Sequence, residues 1–206
     1  MNSRWLILVV MLLTAGLGAC ATTEVTGVWR DGAYKAQPKR ILVISLFKDQ
    51  TARRMVEDEF KNHLTYRGAV VATGYEVFPG NTLPTRETLV EQVKAGGYEA
   101  VLLTRLVDTR TERRTVPSGP TAYRAAPHYG MPMGGYYGQG YATVYAPNYQ
   151  VDDKFATVES NLYEAATEKL VWTATSDTWM AESNEKLIKT FVTMMMESLR
   201  KQKIVP

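Results

Sequence analysis

Between Lys39 and Val107 three apolar runs alternate with two amphipathic stretches, and no other feature of the chain restricts its fold as strongly. Arg40 to Phe47 is almost continuously apolar and rich in β-branched residues, the pattern of a strand buried on both faces. Asp49 or Thr51 can cap a following helix, in which Val56, Phe60 and Leu64 recur at i, i+4, i+8 while Arg53, Arg54, Asp58 and Lys61 fall mostly on other faces. Gly68 ends it. Ala69 to Phe78 reads as a second strand, broken by Pro79-Gly80-Asn81. A second helix begins near Thr85, turns Leu89 and Val93 inward and stops at Gly96-Gly97. Glu99 to Val107 is the third apolar run. The order β-α-β-α-β predicts parallel strands joined by right-handed crossovers, an α/β core.

Beyond Val107 the pattern changes. Asp108 to Thr115 is polar and holds Arg110, Arg113 and Arg114, which either meet an anionic surface or mark a charged strand end that discourages edge pairing. Phe155 to Tyr163 and Leu170 to Trp179 read as a hairpin around Ala165-Ala166-Thr167-Glu168. In its second strand Leu170, Trp172 and Ala174 share one face and Val171, Thr173 and Thr175 the other, as in a half-buried antiparallel strand. Ser183 can cap a last helix with an apolar stripe of Leu187, Ile188, Phe191, Val192, Met195 and Leu199. The expected fold is α/β, with α+β as the alternative: a mixed five-stranded sheet made of the βαβαβ core and the hairpin, closed by a C-terminal helix.

The amino terminus sets the compartment. Met1 to Arg4 carry one positive charge, Trp5 to Leu13 are nine apolar residues, and small residues lead to Cys20, the single cysteine. Leu17-Gly18-Ala19-Cys20 resembles the lipobox of bacterial lipoproteins. That resemblance implies alkylation of the thiol by a diacylglyceryl group, cleavage before Cys20 and acylation of the new amino terminus. The alternative is an uncleaved membrane helix with an incidental cysteine, but a span needs roughly 20 mostly apolar residues and this one breaks down by Thr23 and Glu24. In the same family an aspartate after the cysteine marks inner-membrane retention; Ala21 here implies the outer membrane, with the domain in the periplasm. The expected organisation is a signal peptide over 1–19, a lipidated tether over 20–38 and one domain over 39–206.

Cleavage would leave 187 residues, enough for one ordinary core. Loss of Arg4 lowers the 24 basic residues by one against 21 acidic, and these charges are scattered, so nucleic acid is not an expected partner. With Cys20 committed to lipid, no disulfide can form.

The early strand, the two crossovers, the hairpin reading Leu162-Tyr163-Glu164 then Lys169-Leu170-Val171-Trp172, and the closing helix resemble the small periplasmic α/β domains of envelope lipoproteins. These are related in shape to the curli secretion lipoprotein and to the amino-terminal domain of the Tol-system propeller protein; lipoproteins of unknown function are similar too. The likeness covers roughly Lys39 to Gln202. Those families commonly place Thr-Gly in the turn before the tryptophan strand, where this chain has Thr167-Glu168.

Groups that do chemistry are sparse. His63 and His128 make no metal-ligand spacing, and His63 reads as a partly exposed helix residue; no metal or other cofactor is implied. No Gly-x-Ser-x-Gly elbow and no phosphate-binding glycine loop occurs. Glu57-Asp58-Glu59 point about 100° apart on a helix, so they read as a solvated face and not as paired catalytic carboxylates. Met194-Met195-Met196 could attract a soft metal but read as core.

Pro117 to Pro147 stands apart: its 31 residues hold five prolines, six glycines and six of the twelve tyrosines. This is an excursion from the domain that cannot be regular throughout. Tyrosine brings amphipathic contact area at low entropic cost, so Tyr136, Tyr137 and Tyr141 are the candidate partner contacts; a loop with no partner is the alternative. The expected function is a lipid-anchored envelope binding or scaffolding protein without catalysis, its partner an envelope protein or a second copy. Two alternatives stand beside it. One is an envelope enzyme acting on glycan through carboxylates brought together only by the fold; the other is a subunit of an oligomeric secretion assembly, for which the excursion lacks the alternation of a barrel strand.

Overall fold

A computed structural model describes residues 23–80, 82–116, 149–180 and 183–206. Among the described residues six strands and four helices follow one another as β1 (Thr23–Arg30), β2 (Arg40–Ser45), α1 (Gln50–Tyr66), β3 (Val70–Thr73), α2 (Gly74–Val77), α3 (Arg86–Ala95), β4 (Ala100–Val116), β5 (Tyr149–Glu164), β6 (Leu170–Trp179) and α4 (Asn184–Lys201). They build one mixed sheet in the order β1-β6-β5-β4-β2-β3. The fold is α/β with the expected parallel core, since β2 pairs in parallel with β3 and with β4, while the hairpin strand β5 joins β4 and β6 antiparallel.

The two crossovers run in opposite directions across the sheet, outward from β2 to β3 and back past β2 to β4. A common hand therefore sets their helices on opposite faces. One core gathers Val56, Phe60 and Leu64 of α1 and Phe191, Val192 and Met195 of α4 over Ile41, Val43, Leu102, Leu162 and Trp172. On the other face Leu89 and Val93 of α3 pack with Leu42, Ile44 and Val101. This double covering is why β2 is continuously apolar. In β6, by contrast, Trp172, Ala174, Ser176 and Thr178 are buried while Thr173, Thr175 and Asp177 are only partly so. Val171 breaks the alternation expected for its face: the register slips between Leu162 and Tyr163, and Val171 is buried as well.

Four expectations change. The stretch before Pro38, read as tether, contains the edge strand β1, antiparallel to β6; a glycine and a bulge between Val25 and Gly27 interrupt its alternation. The second strand is only four residues long and turns into α2, because the Tyr75 N–H is drawn to a buried carboxylate described below. The third strand does not stop at Val107: Asp108 to Thr115 is the charged end of β4, paired with β5 up to Val116, while β2 pairs with the other edge only as far as Thr104. Arg53 is not on an outer face but buried.

The turn between β5 and β6 puts Glu168 at φ +57°, the left-handed region where a side chain costs about 1–2 kcal/mol and glycine nothing. Among the described residues its carboxylate pairs only with the exposed Arg86, at 3.8 Å. Glu168→Gly is expected to raise stability by about 0.5–1 kcal/mol once the added freedom of the unfolded glycine is discounted. A denaturant midpoint that moves upward with unchanged slope is the readout; a fall would show that the Arg86 contact outweighs the backbone strain.

Candidate functional site

Three features of the described residues stand out: a groove, a buried ionic corner and a two-stranded ribbon. All involve the end of the sheet at which β2 finishes.

The groove follows from how several elements stop. After Ser45 the chain leaves β2 through Leu46 and Phe47, and α1 starts where the Asp49 carboxylate accepts the Ala52 N–H at 2.7 Å. In the neighbouring strand β4 bulges. Leu106 opposes Val158 and Asp108 opposes Thr157, so Val107 is an extra residue without a register partner. A bulge re-aims side chains, and here both Leu106 and Val107 line the groove. Thr178 and Met180 at the end of β6 and Leu187, Ile188 and Phe191 of α4 complete a cavity of about 690 Å³. Leu46, Leu106, Val107 and Met180 are 39%, 47%, 51% and 43% exposed. Large apolar side chains clustered at such exposure form a patch, unlike the isolated ones that any surface carries. A pocket of about 190 Å³ on the opposite face, between α3 and the β5–β6 turn, is much smaller.

The ionic corner corrects the reading of Glu57-Asp58-Glu59 as a solvated face. Glu57 is fully buried. Its Oε1 accepts the Ser45 N–H at 2.8 Å and Arg53 Nε at 3.3 Å, and its Oε2 accepts the Tyr75 N–H at 3.0 Å. One carboxylate thus ties α1 to the end of β2 and to the start of α2. Gly74 packs closely here: a Cβ would stand 3.1 Å from Glu57 Oε1, so the carboxylate would have to give by a few tenths of an ångström. Asp58 and Glu59 do lie further out. The Tyr75 hydroxyl donates to Asp58, a bond that holds the phenol above its usual range, and Glu59 meets His63 at 3.4 Å. Nearby, Lys61 and then the Thr73 N–H keep the Glu76 carboxyl below its usual range.

The ribbon is the part of β4 and β5 that outruns its neighbours. β6 pairs with β5 as far as Phe155 opposite Trp179, and beyond that Thr111 to Val116 and Tyr149 to Lys154 pair with each other, with one further bond from the Met180 N–H to the Lys154 carbonyl at 2.7 Å. Six residues of strand reach about 20 Å. Cross-strand ion pairs hold it, Arg113 to Asp152 at 3.0 Å and Arg114 to Asp153 at 3.1 Å. At its base Arg110 lies 4.8 Å over the Phe155 ring and bonds Glu112 at 2.8 Å and Asp177 at 2.9 Å. The arginines singled out from the sequence therefore brace this ribbon.

Cys20, Tyr136, Tyr137, Tyr141 and His128 lie outside the described residues. His63 is on α1, partly exposed, as expected. Met195 and Met196 are buried in the core and Met194 packs against it. Among the described residues no three His, Cys, Asp or Glu side chains gather as metal ligands, and no helix is long and apolar enough to cross a membrane. Sequence reasoning missed the groove and Glu57. The adjacent apolar pairs Leu46-Phe47 and Leu106-Val107, each followed by charge, were the available signal for the groove.

The fold and these features define a six-stranded mixed α/β domain with a protruding antiparallel ribbon and an apolar groove beside its root. No family model and no curated protein matches the chain. Among solved structures it is similar to a PelC dodecamer from Paraburkholderia phytofirmans, with 13% identity, a TM-score of 0.48, and coverage of 86% of this chain and 96% of that one. It is also similar to lipoprotein GNA1162 from Neisseria meningitidis, with 15% identity, a TM-score of 0.41, and coverage of 80% and 99%.

Proposed function

We propose that this chain is a lipid-anchored protein of the cell envelope, held in the outer membrane through Cys20 with its domain in the periplasm, that binds or scaffolds an envelope partner or a second copy and catalyses no reaction. The ribbon carries this reading. One face of its strands is wholly polar, with Thr111, Arg113 and Thr115 beside Lys154, Asp152 and Gln150, and the other carries Glu112, Arg114 and Asp153 as well as Val151, so burying a core does not explain their length. What they do is hold Val116 and Tyr149, the two ends of the tyrosine- and glycine-rich stretch, away from the sheet. The groove adds surface more than reactivity: its ionisable residues are Lys48, Asp49 and Asp108, and Asp49 already caps α1.

Two measurements test the two halves of the proposal. Intact-mass analysis of membrane-extracted protein is expected to show loss of residues 1–19 and added lipid mass, and Cys20→Ala to abolish the addition; an unmodified chain that keeps Met1 contradicts the anchor. Replacing Ala125 to Ala142 by a short Gly-Ser stretch is expected to leave thermal stability unchanged while envelope cross-links disappear. Cross-links that persist in this variant would show that the tyrosines Tyr136, Tyr137 and Tyr141 are not the contact.

A further inference from the structure

The groove opens where the chain enters the domain. β1 begins at Thr23, whose Oγ1 lies 3.0 Å from Thr178 Oγ1, and Thr178 lines the groove. Cys20 precedes Thr23 by three residues, and three residues of fully extended chain span at most about 11 Å. Any lipid on Cys20 is therefore attached within about 11 Å of a residue whose side chain touches the groove wall. The wall has the matching chemistry, since Leu46, Leu106, Val107 and Met180 are apolar and each between about two-fifths and one-half exposed. Resting on the lipid anchor proposed above, we infer that the groove is the docking site for one acyl chain of the chain's own Cys20 lipid.

An acyl chain is a flexible run of methylenes that asks for apolar surface and no directional bonds, and the long side chains of the groove offer that without a required hydrogen-bond partner. Lipobox processing gives three acyl chains, and stable membrane attachment takes two signals. One chain can leave the bilayer for the groove while the other two still hold. The docked chain then works as a tether of fixed length. It draws the β1 start, the groove mouth and the ribbon root to the membrane side of the domain, in place of a domain free to tumble on residues 20–22.

The test uses the full lipidated chain in its native membrane. A photoreactive benzophenone side chain is introduced in place of Leu106, in a second variant in place of Met180, and in a control in place of Tyr66, which is exposed at the end of α1. Irradiation, proteolysis and mass spectrometry are expected to join the peptide holding position 106 or 180 to the Cys20 lipopeptide of the same chain, with no such product from position 66. Adding Leu106→Glu to the Met180 variant is expected to lower that product about tenfold, equivalent to about 1.4 kcal/mol, with the lipid mass on Cys20 unchanged. If Cys20 carries lipid but positions 106 and 180 join to phospholipid, to a second copy, to another protein or to nothing, the docking inference falls and the anchor stands. If Cys20 carries no lipid, both fall together.

Discussion

Glu57→Ala will cost the fold about 3–5 kcal/mol, the loss expected when one member of a buried ion pair is removed and its partner stays behind. The side chain is fully buried and serves three donors: the amides of Ser45 and Tyr75 and the Arg53 guanidinium. Truncation leaves all three in a space closed to water, and each unpaired amide alone costs about 1–3 kcal/mol. For a chain of this size the midpoint of thermal unfolding falls by about 2–4 °C per kcal/mol, so the variant should melt about 6–20 °C below the parent. Glu57→Gln keeps one acceptor oxygen and the shape, and its loss should be smaller. Denaturant titration of the three proteins side by side is the measurement. A loss below about 1 kcal/mol for Glu57→Ala would mean that the carboxylate is hydrated after all and that the end of β2 is held by other contacts.

Trp172→Ala is the second large effect, also about 3–5 kcal/mol. Trp172 is fully buried near the start of β6, opposite Leu162 of β5 and Arg30 of β1, within the core that α1 and α4 cover. Removing the indole leaves a cavity that Leu162 and Met195, fixed on their own elements, cannot fill. Trp172→Phe supplies the contrast. It keeps most of the ring volume and removes an indole N–H that is buried without a hydrogen bond among the described residues, so its loss should be well under half that of alanine. Equal losses for the two variants would show that the indole nitrogen, and not the filled volume, matters at this position.

Much of the fold was legible because it depends on local periodicity. The continuous run from Ile41 to Ile44, the i, i+4, i+8 spacing of Val56, Phe60 and Leu64, the alternation after Trp172 and the stripe of α4 each state which faces are covered. The turn at Thr167-Glu168 was located too, although its left-handed backbone was not. The candidate site was much less legible. Cys20 and the tyrosine stretch were named from the sequence, but the groove and the ribbon were not.

Local pattern reports how much of a segment is covered; it does not report by what. Glu57 and Glu59 look alike in the chain, and only the approach of Ser45 and Tyr75, twelve and eighteen residues away from Glu57, makes one a buried tie while the other stays near solvent. The polar stretch from Asp108 to Thr115 carries no apolar alternation because its strand is paired but uncovered, and hydrogen bonding between backbones leaves no mark on side-chain pattern. The groove required the ends of β2 and β6, the middle of β4 and the start of α4 to arrive at one place, with a bulge at Val107 to turn two apolar side chains into it. Sequence by itself determined the βαβαβ order, the hairpin and the closing helix, and named Cys20 as the expected lipid site. Tertiary structure alone decided that the start of β1, the ribbon root and the exposed apolar residues share one end of the domain, because that depends on the crossing order of strands far apart in the chain.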